Sequence, residues 1–243
     1  MTQGDGADPA EPVALMAQDL VNLVAEGTRA KRCLALTART TGNPALRGIF
    51  VEKFETFVSI QYDPDLVGRP RGDWYRSLDQ SAQEIAGLEP FDLAFVDPFH
   101  SYRSSIRALD IVARRTRPTG WIIVHDCLPP HALTTPRFVP GHWCGSTYAA
   151  FRDFAARGER AWFVVDTDFG LGVLGPEGTK SRISDVAPAE LLREWNAADL
   201  EGRRALLRTD GATIMRALPS AVATNLLSRI FRSPAWRIHG RPG

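Results

Sequence analysis

The chain has 243 residues, room for one large domain or one domain with an added tail. Apolar residues make up 44% and charged residues 23%, which excludes a disordered, collagen-like or coiled-coil chain. Lys and Arg number 29 against 28 Asp and Glu, so at a formal charge of +1 no general attraction to nucleic acid or an anionic membrane is expected.

The opening stretch, residues 1–11, lacks the basic and apolar regions of a signal peptide and is expected to be a disordered leader. Residues 13–30 carry Val13, Leu15, Met16, Leu20, Leu23 and Val24 at helical spacing, behind Pro12. Short apolar runs then alternate with helical patterns. Strands are expected at Cys33–Leu36, Phe57–Tyr62, Phe91–Val96, Trp121–Val124, Trp162–Val165 and Gly172–Leu174. Helices are expected at 44–54, 77–87, 101–117 and 146–157. This order predicts an α/β domain over 12–177, with a doubly wound, mostly parallel sheet buried on both faces. The last two runs are too close for a crossover helix, so they must form an antiparallel hairpin, placing one reversed strand at the sheet edge. Residues 178–243 read as a helical appendage, with helices at 189–207 and 212–232. The stripe of Leu218, Val222, Leu226, Leu227, Ile230 and Phe231 would pack on the domain or on a second copy.

Cys33, Cys127 and Cys144 are too few and too scattered for a disulfide framework, so a reducing, cytoplasmic compartment is expected. No apolar run is long enough to span a membrane. Usage rich in Arg, Ala and Pro points to a high-GC bacterial source.

Ligands of doubly wound sheets bind outside the carboxyl ends of the parallel strands. Here those ends carry Asp63, then Asp97 with His100, then His125, Asp126 and Cys127. Four of the five histidines fall between 100 and 142, and an imidazole is the natural general base near neutral pH. His100, His125 and His131, with Asp126, are therefore the catalytic candidates. Asp97 and Asp126 could instead share a hard divalent ion such as magnesium. The spacing of His125, Cys127, His131, His142 and Cys144 matches no common structural zinc site. Residues 129–147 hold four prolines and no periodicity. They read as a substrate lid with Arg137, His142 and Trp143 as contacts. Asp168-Phe169-Gly170 is read as a hairpin turn.

The stretch FDLAFVDPFHSYRSSIRALDIVARRTRPTGWIIVHDCLPPH (91–131) resembles class I S-adenosylmethionine-dependent methyltransferases, in particular their small-molecule and sugar O-methyltransferase branch. WCGSTYAAFRDFAARGERAWFVVDTDFGLGVL (143–174) is similar to a later stretch of the same group, and the resemblance spans roughly 57–175. It implies a Rossmann-like sheet of seven strands with one antiparallel edge strand. It also implies S-adenosylmethionine as cofactor and a small-molecule acceptor from biosynthesis. By that resemblance Asp63 would hydrogen-bond the cofactor ribose, Ser77 and Asp79 would lie near adenine, and Leu36, Thr37, Gly42 and Asp97 would line the cofactor. Asp126 matches the acid that helps hold magnesium in metal-dependent relatives. The sequence departs from the family's glycine-rich first turn: Ala35 stands for the acid, Thr37 and Thr41 stand near glycine positions, and Gly42 remains. Two other readings stand beside methyl transfer: an enzyme on this scaffold doing His/Asp acid–base or metal-assisted chemistry, and a non-catalytic partner subunit.

Overall fold

The apolar runs become strands whose alternate side chains serve two cores. The structure, a computed structural model, describes residues 15–39, 47–64, 75–158, 160–179 and 187–233. In chain order it forms α1 (Ala17–Thr28), β1 (Arg32–Ala38), β2 (Thr56–Tyr62), α2 (Leu78–Ala86), β3 (Phe91–Asp97), α3 (Tyr102–Ala113) and β4 (Thr116–Val124). Then follow α4 (Thr147–Arg157), β5 (Trp162–Asp166), β6 (Leu171–Leu174), α5 (Ala189–Ala197), α6 (Leu200–Ile214), β7 (Ala217–Pro219) and α7 (Ser220–Arg232). The leader expected over 1–11 and the cofactor candidate Gly42 lie outside the described residues.

The seven strands run in the order β2-β1-β3-β4-β6-β5-β7, and β6 alone is antiparallel to its neighbours. This is the expected Rossmann-like, doubly wound α/β fold. Leu34, Leu36, Ala94, Val96, Ile122 and Val124 point into one core, shared with α3, α4, α5 and α6. Cys33, Ala35, Leu93, Phe95 and Ile123, the intervening residues, point into the other, shared with α1 and α7. A period of two with both faces covered explains why the strands read as unbroken apolar runs.

Three expectations need correction. The reversed strand of the hairpin was placed at the sheet edge. In the structure β6 lies between β4 and β5, and β7 takes the edge beside β5. A short connection forces β5 and β6 to be antiparallel, but it does not say which of them meets β4. The segment 178–243 was read as an appendage, yet it supplies that edge strand, and α7 closes the second core with Ala223, Leu227 and Phe231. The Phe231 ring packs edge-on to Trp121, with centroids 5.5 Å apart. Of the two places expected for the stripe, the domain or a second copy, the structure puts most of it on the domain. Three residues ending at Pro219 are too few to show strand periodicity inside a helical stretch. Finally, the described part of the helix expected at 44–54 is irregular and ends in one 3-10 turn at Val51–Lys53. Asn22 holds that backbone from α1, donating to the Gly48 carbonyl at 2.9 Å and accepting the Phe50 N–H at 3.0 Å.

Candidate active site

Parallel pairing sets the carboxyl ends of β1, β2, β3 and β4 side by side. Thr37 is in register with Gln61 on one side and Asp97 on the other, and the His125 N–H donates to the Val96 carbonyl at 2.9 Å. The acids that end successive strands therefore share one rim.

Beyond β3 the chain turns through Pro98–Ser101 into α3. Tyr62 at the end of β2 fixes this turn: its hydroxyl accepts the Phe99 N–H at 2.7 Å and meets Ser104 Oγ at 2.9 Å. Ser101 caps α3, accepting the Ser104 N–H at 3.3 Å. The turn brings His100 back over its own strand end. His100 Nε2 lies 3.2 Å from Asp97 Oδ1 and 2.9 Å from Asp126 Oδ2, while Nδ1 bonds the Trp143 carbonyl. A carbonyl can only accept, so Nδ1 carries a proton and Nε2 is the atom that gains or loses one.

Asp126 follows β4 with a φ of 61°, a left-handed conformation that Asp tolerates better than most residues. Its side chain is buried between two imidazoles, with His125 Nδ1 3.2 Å from Oδ1 but without the alignment of a hydrogen bond. On the far side, His125 Nε2 lies 3.4 Å from Asp168 Oδ2. Asp168 sits in the hairpin turn, whose residues Asp168, Phe169 and Gly170 all have positive φ. Its carboxylate also accepts the Ala17 N–H at 2.9 Å, capping α1. Gly170 is required there: at φ 85° a Cβ would stand 2.1 Å from the Leu128 nitrogen.

Charge follows geometry. Burial alone would lower the His100 pKa, but the Asp126 and Asp97 carboxylates outweigh it and lift it to about 10. Burial likewise opposes the charge on His125, and Asp126 and Asp168 raise it well above its usual value. Burial pushes the Asp126 carboxyl up, yet the two imidazoles hold it well below the usual carboxylate range. The Cys144 and Cys127 thiols are pushed up, chiefly by burial. The carboxylates and the two imidazoles thus favour each other's charged forms across the cluster.

The other sequence candidates are placed as follows. Asp63 uses Oδ2 to accept the Arg76 N–H at 2.8 Å, with Arg39 at 3.8 Å. Leu36 is buried in the core. The Thr37 hydroxyl is buried with no hydrogen-bond partner, at the carboxyl end of β1. Ser77 caps α2, accepting the Gln80 N–H at 3.1 Å, and Asp79 pairs with Arg107 at 3.1 Å on the surface. His131 stands apart from the acid cluster, facing Arg204, Arg208 and Glu201 of α6; its pKa is lowered by desolvation and by the two arginines. Trp143 is buried and its indole N–H donates to the Thr135 carbonyl at 2.7 Å, whereas Arg137 and His142 are exposed. Sequence reading missed Asp168 as a partner of His125, and the acidic residue in a hairpin turn was the signal available for it.

Among the described residues, Asp97, His100 and Asp126 each offer one ligand atom, all within 4.8 Å of one another. No helix among the described residues is long and apolar enough to cross a membrane.

Residues 33–127 match the family model described as a methyltransferase domain. No curated protein matches the chain. Among solved structures, the O-methyltransferase TomG from Streptomyces achromogenes in complex with SAM is 16% identical, with a TM-score of 0.42, covering 65% of this chain and 78% of that one. The O-methyltransferase from Bacillus cereus in complex with SAH is 15% identical, with a TM-score of 0.42, covering 69% and 84%. The SAH-bound Podospora anserina methyltransferase PaMTH1 is 16% identical, with a TM-score of 0.44, covering 66% and 77%. These are distant likenesses of outline and say nothing of the site.

Proposed function

We propose that this chain, which carries a methyltransferase domain over residues 33–127, is an S-adenosylmethionine-dependent O-methyltransferase of a small hydroxylated molecule. The observation that carries the reading is the placement of His100 Nε2 between Asp97 and Asp126, with Nδ1 fixed by the Trp143 carbonyl. A proton acceptor of fixed tautomer at the strand ends is what deprotonation of a hydroxyl needs.

The described residues fit the donor. The buried Thr37 hydroxyl lacks a partner, and it lies between the strand ends bearing Asp63 and Asp97. Strand ends lined by the side chains of Asp63, Asp97 and Asp126 suit a sulfonium better than a ligand bound through phosphates. Asp63 would hold the ribose, and Leu36, Thr37 and Asp97 would line the donor. When bound, S-adenosylmethionine supplies an electrophilic methyl group. The chain orients the acceptor hydroxyl at the rim and excludes water beneath the 129–147 loop; His100 takes the hydroxyl proton on Nε2 in its neutral form, the fraction of which grows as pH rises toward about 10. Asp97 and Asp126 hold the imidazolium that results.

The donor set of Asp97, His100 and Asp126 also fits a divalent ion, which would supply Lewis-acid polarisation of the acceptor oxygen. The proton on Nε2 occupies the same place, so ion and proton compete. Calorimetric titration with S-adenosylmethionine, followed by transfer of a labelled methyl group with and without chelator, tests the proposal. Absence of binding at millimolar donor would sink it. One observation favours a second reading: two protonated imidazoles in one buried cluster also suit acid–base chemistry without a methyl donor. Turnover that ignores S-adenosylmethionine and is lost in His100→Gln would support that alternative.

A further inference from the structure

We propose that the loop after β4 builds an aromatic wall for the acceptor, and that the acceptor is a planar aromatic hydroxyl compound. The identity of the reaction rests on the methyl-transfer reading; the binding does not. Phe99, Phe138 and Trp143 form a closed trio, with ring centroids 5.6 Å apart for Phe99–Phe138, 5.1 Å for Phe99–Trp143 and 5.2 Å for Phe138–Trp143. Trp143 in turn lies 5.7 Å from the His100 ring. Phe99 and Trp143 are buried, but Phe138 is 39% exposed and its neighbour Val139 46% exposed.

The exposed face is therefore apolar and only one ring removed from the imidazole that faces Asp97. The indole N–H of Trp143 is spent on the Thr135 carbonyl, so its polar atom is turned into the loop. Pro136 and Pro140 bracket the segment and limit its backbone freedom, which keeps Phe138 on this rim at low entropic cost. Two exposed side chains are far too small a patch for a protein interface, which takes about 20–30 residues a side. They match one face of a single planar ring, which stacks or meets edge-on with Phe at such distances. A sugar needs a row of donors and acceptors instead. Between Pro136 and Pro140 the chain offers one polar side chain, Arg137.

The test uses the full chain with 2,3-dihydroxynaphthalene and methyl β-glucoside as probes, each titrated calorimetrically with and without S-adenosylmethionine, and each assayed for methyl transfer. The naphthalene diol should bind and the glucoside should not. Phe138→Ala should weaken diol binding roughly tenfold and raise KM likewise, with kcat within about threefold, while Phe138→Tyr retains binding. Phe138 is half-exposed, so the fold should survive, and an unchanged melting temperature confirms it. Equal binding of the diol to wild type and Phe138→Ala, no binding of the diol at all, or methylation of the glucoside alone overturns the proposal. Diol binding that depends on Phe138 in a protein that binds no S-adenosylmethionine keeps the aromatic wall and removes the methyl-transfer reading.

Discussion

Asp126→Asn is the most informative single change, because Asn keeps the shape and tolerates the φ of 61° while removing the charge between two imidazoles. The sign follows from the direction of the shift. His100 is raised from 6.5 to about 10, so its stabilisation is fully present below 6.5 and is lost as pH rises through about 10. At pH 7 a shift of that size corresponds to about 4 kcal/mol, and at pH 10 to under about 1 kcal/mol. Asp97 remains as a partner at 3.2 Å, so roughly half should survive, leaving a loss of about 2 kcal/mol at pH 7. For a chain of this size that lowers the melting temperature by about 4–8 °C. The assay is thermal and urea unfolding of wild type and variant at pH 7 and pH 10, with chelator present. The gap between the two proteins should close as pH rises. A gap of the same size at both values, or one that widens, would refute the assignment of an ionised Asp126 between two imidazoliums.

Other outcomes follow from the same geometry. If His100 Nε2 accepts the acceptor's proton, log kcat/KM for the free enzyme should climb with unit slope and level off near pH 10; a flat profile between pH 7 and 9 removes His100 as the base. Thr37→Val replaces a buried, unpartnered hydroxyl with a methyl group of like shape, which should raise stability by about 1 kcal/mol and weaken S-adenosylmethionine binding roughly tenfold. Donor affinity that is unchanged by calorimetry would place the donor away from β1. Leu227→Ala on α7 should cost about 2–5 kcal/mol in chemical unfolding, as a core position does; a cost under about 1 kcal/mol would return α7 to the status of an appendage.

The candidate site was half legible before any coordinates. Asp97, His100, His125 and Asp126 stood out because strand ends are where this kind of sheet binds ligands, and two apolar runs led straight into them. His131 sat in the same cluster of histidines but faces α6, where Arg204, Arg208 and Glu201 are its charged neighbours. Asp168 was read as a turn residue and no more, since only tertiary packing brings the hairpin under His125 and onto the start of α1. Ser77 satisfies the α2 amide of Gln80, a local use that sequence signals as readily as any ligand contact.

Local chemistry was enough to determine the strands of the parallel core, the helices that follow β2, β3 and β4, and the hairpin, because a period of two, a period of three to four and a short connection each act within a few residues. Folding in three dimensions decided the rest: β6 beside β4, β7 at the border, α7 over the second core, and the order of charges Asp97, His100, Asp126, His125, Asp168. Those depend on which distant surfaces remain to be covered and on which buried charge finds an opposite one within reach, and neither is written in any single stretch of the chain.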